Sequence, residues 1–146
     1  MAIRLGIQCR LYRNTGTYQN PVWNEIRAVR DVTLNLQTAK ADVTSRANNG
    51  WRANVATLRE ASIETQLLWD PSEDDFTVLL NAYLNNTTIE ILALDGPVTQ
   101  TGSQGLRAEC SVTAFSRSEA LEEAVTAAVT LEPTYGANPP TWYITS

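Results

Sequence analysis

Apolar residues recur at every second position along much of this chain. Residues 3–11, IRLGIQCRL, put Ile3, Leu5, Ile7, Cys9 and Leu11 on one side, and 31–37, DVTLNLQ, do the same with Val32, Leu34 and Leu36. The stretch 61–69, ASIETQLLW, sets Ala61, Ile63, Thr65, Leu67 and Trp69 against Ser62, Glu64 and Gln66, and 106–114 aligns Leu106, Ala108, Cys110, Val112 and Ala114. A period of two sends neighbouring side chains to opposite faces, so these stretches read as half-buried strands. TIEILALD at 88–95 is a further strand, VWNEIRAV at 22–29 a weaker one, and 119–133 resolves into a strand from about Val125.

The period changes once. Within 70–86, Phe76, Leu79, Leu80, Tyr83 and Leu84 are spaced as the apolar stripe of an amphipathic helix. Ser72 is the expected N-cap, Glu73, Asp74 and Asp75 sit where the helix dipole favours negative charge, and Asn85 and Asn86 are expected to end the helix. The polar run DVTSRANNGWR at 42–52 is too long for a tight hairpin and carries the turn signal NNG. The tail NPPTWYITS is too rich in proline to begin as an internal strand.

About seven strands, one helix and no βαβ rhythm predict a mainly β chain. The expected fold is a β-sandwich or barrel with one flanking helix at about 72–85 and a long inter-strand loop at 37–50, all in a single domain spanning 1–146. No apolar run is long enough to span a membrane. The opening MAIRLGIQCR alternates like a strand and lacks the continuous apolar core of a secretion signal, so folding in a cytoplasm is expected, with Cys9 and Cys110 as small core residues rather than a disulfide.

Several chemistries are disfavoured by what the chain contains. There is no histidine, the commonest general base and metal ligand. Two cysteines a hundred residues apart make no zinc spacing, and GSQG at 102–105 lacks the lysine of a phosphate loop. DPSEDD at 70–75 lacks the glycine and distal glutamate of a calcium loop, and Glu122 and Glu123, adjacent on an expected strand, face opposite ways. The expectation is a protein with no enzymatic activity, cofactor or metal. Charge is divided unevenly: residues 1–59 hold nine Lys/Arg and three Asp/Glu, residues 60–146 two Arg and thirteen Asp/Glu. Such a split supplies two faces of opposite sign for self-association.

The order WNEIRAVRDVTLNL at 23–36, ADVTSRANNGWRANVATLREASIETQLLWD at 41–70, an acidic helix and a closing VTLEPTYGANPPTWYIT resembles the major tail tube proteins of long-tailed bacteriophages and prophages. The resemblance covers about residues 22–145; its shared features are a valine-arginine-aspartate-valine-threonine strand, a DVT…GW segment and a leucine-arginine-x-alanine-serine strand after it. It implies a structural virion protein assembled in the bacterial cytoplasm, with hexameric rings stacked into a hollow tube through which DNA leaves the capsid. It further implies kinship with contractile-tail and type VI secretion tubes, and partnership with tape measure, tail tip and tail terminator proteins. In that setting the loop from Gln37 to Gly50 is expected to reach a neighbouring subunit or ring. Its contact residues would be Lys40, Asp42, Thr44, Arg46, Asn48 and Asn49, with Trp51 fixing its base. By alternation, Glu64, Glu90 and Glu109 are candidate acids of the lumen, where negative charge lets DNA slide. The alternatives are a tail terminator or completion ring, which would not polymerise, and a monomeric barrel binding a small ligand. Strand faces filled with Ile, Leu and Val argue against the last.

Overall fold

The computed structural model describes residues 3–134 and 136–146. In chain order its elements are β1 (Arg10–Asn14), β2 (Trp23–Glu25), β3 (Val29–Asp42), β4 (Asn54–Leu68), α1 (Asp74–Asn85), β5 (Thr88–Leu94), β6 (Gln104–Ser118), β7 (Thr126–Pro133) and β8 (Thr141–Ile144). All eight strands join one antiparallel sheet in the order β2-β1-β5-β6-β7-β4-β3. The last strand, β8, lies off this path. It pairs with the first residues of β6, Gln104–Arg107, while β7 takes the remainder from Cys110 onward. Pro139 and Pro140 precede β8, where no ladder N–H is required of them.

The alternation seen in sequence is the core-facing pattern of β4 to β7. Ile63 and Leu67 of β4, Ile89 and Ile91 of β5, Ala108, Cys110 and Val112 of β6, and Val129 and Leu131 of β7 are buried in one cluster. Leu11 of β1, near the other edge of the strand order, joins the same cluster, so the sheet curls around it. The opposite face carries a smaller cluster of Tyr12, Leu92 and Leu94, with Trp23, Val98 and Tyr143 packed against it.

Helix α1 lies on β6 and closes the core. It begins later than the sequence implies. Ser72 does not cap it; the Ser72 hydroxyl and N–H both donate to Asp70 Oδ1, at 2.6 and 3.0 Å, and Glu73 occupies the cap position. Asn86 ends it in the left-handed conformation, φ 53°, as expected of asparagine. The buried positions are Phe76, Leu79 and Ala82, while Tyr83 and Leu84 face outward. The stripe is turned because Phe76 seats edge-on against Trp69, ring centroids 4.7 Å apart, and Ala82 lets the backbone approach the sheet.

Three further expectations are corrected. Residues 3–9 are not a strand: β1 leaves its partner β5 at the Arg10–Leu94 pair, and the chain before it forms a short 3-10 turn, Gly6–Gln8, with nothing to pair against. Ile3, Leu5, Ile7 and Cys9 are accordingly exposed, leaving Cys110 as the core cysteine. Glu122 and Glu123 lie in an exposed turn and not on a strand, while β7 begins at Thr126, within a residue of the expected start. Finally, the first six residues of 37–50 are strand and not loop. β3 runs to Asp42 and β4 starts at Asn54, so the connection is 43–53. Periodicity failed there because neither face of this part of the ribbon is covered, and a pattern of two appears only where one face is buried.

Candidate assembly interface

The hairpin of β3 and β4 extends beyond the buried core. Near its root Ile63, Thr65 and Leu67 are buried, but residues 36–47 and 54–60 are exposed on both faces. The two strands stay paired along this arm: Gln37 opposes Glu60, Thr38 opposes Arg59, Lys40 opposes Ala56 and Asp42 opposes Asn54. A shift of register between Thr38 and Lys40 marks a bulge, which adds twist to a two-stranded ribbon.

The turn at the tip is built by its own side chains. Asp42 Oδ1 accepts from the Thr44 hydroxyl at 2.5 Å and from the Thr44 N–H at 2.9 Å, which holds its carboxyl below the ordinary range. The Thr44 hydroxyl in turn accepts from the Ala53 N–H at 2.9 Å, and Val43 N–H donates to the Ala53 carbonyl at 2.9 Å. Ser45 caps a single 3-10 turn over Arg46–Asn48, and Asn49 and Gly50, with φ of 51° and 85°, reverse the chain. The tip is therefore ordered without help from the rest of the molecule.

Of the expected contact residues, Asp42, Thr44, Arg46, Asn48, Asn49 and Trp51 are brought together in and beside this turn, and Lys40 lies two residues along β3. Within its own chain Trp51 does not anchor the turn, being 76% exposed. Sequence reasoning missed the other strand of the arm. Arg52, Val55, Leu58 and Arg59 are exposed there, as is Leu36 on β3. The arm thus presents four cations, Lys40, Arg46, Arg52 and Arg59, none in an ion pair among the described residues, beside uncovered apolar side chains. Exposed aliphatic and aromatic groups rimmed by unpaired cations mark a surface suited to association.

The three acids Glu64, Glu90 and Glu109 share the sheet face opposite the main core, since their strand neighbours Ile63, Ile89 and Cys110 point inward. Only Glu64 is exposed. Glu90 is ion-paired to Arg107 and accepts from Asn14 Nδ2 at 2.8 Å, and Glu109 accepts from Asn138 Nδ2 at 3.2 Å. Arg107 also donates to the Tyr18 carbonyl at 2.7 Å and stacks 4.0 Å over the Tyr18 ring, pinning the 14–22 loop to the sheet. Among the described residues no group of three His, Cys, Asp or Glu is placed to hold a metal, and no helix is long and apolar enough to cross a membrane.

Solved structures share this fold. The chain superposes on a subunit in the tail of an empty gene transfer agent particle refined with C6 symmetry, with a TM-score of 0.75 and 13% identity over 99% of this chain and 100% of that one. A subunit in the virion of the native gene transfer agent particle gives a TM-score of 0.73 and 14% identity over 97% and 99% of the two chains. The tail tube of phage SPP1 gives 0.67 and 12% over 89% and 75%. No curated protein matches the sequence. The profile of the family described as phage tail tube protein matches residues 12–134, which take in the sheet from β1 to β7, the arm and α1. The chain therefore belongs to the phage tail tube protein family and is a structural component of the virion tail.

Proposed function

We propose that this protein forms hexameric rings that stack into a hollow tube, and that the tube conducts double-stranded DNA from the capsid during ejection. The observation that carries this reading is the arm: a paired, self-ordered ribbon, uncovered on both faces, has no role within its own subunit. Its apolar side chains are covered once a neighbouring copy packs against them. The sixfold symmetry of the gene transfer agent tail supports a ring of six. Glu64 is the acid we assign to the lumen; Glu90 and Glu109 share its face, but their charges are satisfied by Arg107, Asn14 and Asn138. Tape measure, tail tip and tail terminator proteins are the partners such a tube requires at its centre and ends.

Negative-stain electron microscopy of the purified protein, alongside its solution mass, tests the proposal. Hollow tubes or stacked sixfold rings are expected. Rings that never stack would favour a tail terminator, and a protein that stays monomeric at high concentration would overturn the reading.

A further inference from the structure

We infer that residues 3–9 of one copy enter, as an added strand, the cleft between β4 and β8 of a neighbouring copy. This rests on the tube reading above, because it supplies one of the contacts from which such a tube is built.

The cleft is a gap in the sheet. β7 and β8 lie end to end on the same side of β6, but β4 follows only β7. The ladder between β4 and β7 ends at the Ile63–Leu131 pair. From Ser62 back to Asn54, among the described residues, β4 is bonded to β3 alone, and β8 to β6 alone. Two strand edges with unspent N–H and C=O groups thus border a cleft of about 1210 Å³. That is above the usual range for a small ligand, about 300–1,000 Å³. Open backbone edges of this kind take up an extended segment.

The two sides of the cleft differ in chemistry. Leu36, Ala61, Leu106 and Trp142 lie on the core side, with Leu36 and Trp142 exposed, and Arg59 bounds them toward the arm. Glu60, Glu64 and Glu132 lie on the other side, and none of them is in an ion pair among the described residues. A strand that fits is apolar on one face and free of negative charge on the other. IRLGIQC at 3–9 has that pattern: Ile3, Leu5, Ile7 and Cys9 alternate with Arg4, Gly6 and Gln8, and no proline interrupts the donors. In their own chain Ile3, Leu5 and Ile7 are exposed. Arg4, 3.7 Å from Asp95 there, exchanges that partner for Glu60 and Glu132 of the neighbour.

The segment does not fill its own cleft. It leaves β1 at Arg10, and β5, β6 and β8 stand between. At a strand spacing of about 4.8 Å and a rise of about 3.3 Å per residue, that crossing uses about six residues before the first pair forms. A neighbour has no such crossing to impose. Donor and acceptor surfaces differ, so the contact is head-to-tail and repeats from copy to copy.

Cys9 is exposed and Cys110 buried, so disulfide trapping reports where the segment goes. Two variants of the full chain put a second cysteine on either wall of the apolar side, Ala61→Cys on β4 and Ile144→Cys on β8. Mild oxidation of assembled tubes should join at least one of these to Cys9 of another chain. The expected result is a ladder of two or more chains on a denaturing gel, abolished by Cys9→Ser. No ladder from either variant, or a link within one chain, would overturn the inference. Charge exchange supplies a second readout. Arg4→Glu should raise the concentration needed for tubes at least tenfold, and adding Glu60→Lys with Glu132→Lys should restore it. A loss that persists in the triple variant would leave Arg4 a partner of Asp95 only and count against the contact. Wild-type tubes with neither response would sink this contact alone; a wild type that forms no tubes would sink the tube reading with it.

Discussion

Glu90 and Glu109 stand directly opposite each other on β5 and β6, an arrangement that destabilises a sheet when both acids are bare. Arg107 and Asn14 hold the first, and Asn138 holds the second. Replacing Arg107 by Ala strands a charge in a site where both pair members are only 11% exposed, and also frees the 14–22 loop. We expect a loss of about 3 kcal/mol in urea unfolding, the cost of breaking a largely buried pair. Gly105 is a second sensitive position: an added Cβ would collide with the Ala93 carbonyl in the adjoining strand, so Gly105→Ala should lower the melting temperature. The cysteines offer a third check. Burial pushes the Cys110 thiol up to about 12, whereas Cys9 is exposed. A thiol reagent at neutral pH should label one cysteine per native chain, and two after denaturation. Because the unfolded thiol ionises near 9.0 and the folded one near 12, Cys110 stabilises the fold below 9.0, a contribution lost as pH rises toward 12.

At the scale of elements, α1 and the arm behave oppositely under truncation. Leu79 is fully buried between helix and sheet, and Leu79→Ala should cost about 3 kcal/mol of stability, measurable by denaturant unfolding. Deleting Ala41–Asn49 removes most of the turn and the exposed last two residues of β3, so the melting temperature should hold while tubes disappear from micrographs. Unfolding, or normal tubes, would contradict that. The same contrast explains what could be read in advance. β4 to β7 were visible because burying one face imposes a pattern of two on Ile63, Ile91, Cys110 and Leu131. The arm's paired half was not, because Thr38 to Asp42 and Asn54 to Glu60 are held by backbone ladders alone, and ladders leave no trace in side-chain polarity. Residues 3–9 mislead for the reverse reason: Ile3, Leu5 and Ile7 alternate without a neighbouring strand to make use of it. Arg107, which pins a loop across 89 residues of sequence, left no local signal at all.

For the whole molecule, charge is partly spent inside. Arg4 pairs with Asp95 and Arg13 with Asp75, each joining the basic and acidic halves of the sequence. Arg46, Arg52, Arg59 and Lys40 of the arm remain outside any ion pair among the described residues, so assembly through the arm should weaken with salt. Raising ionic strength from about 0.1 to 1 M shortens the screening length from about 10 to 3 Å. Sedimentation should show tubes giving way to smaller species over that range; indifference to salt would contradict the arrangement. The tip of the arm also carries a clock. Arg46 and Arg52 flank a solvent-exposed turn, which makes them the bonds trypsin reaches first in a free subunit. Once that turn is covered by another copy, the same bonds resist cleavage, and the rate of nicking at a single turn then measures how much of the protein has been taken up into tail.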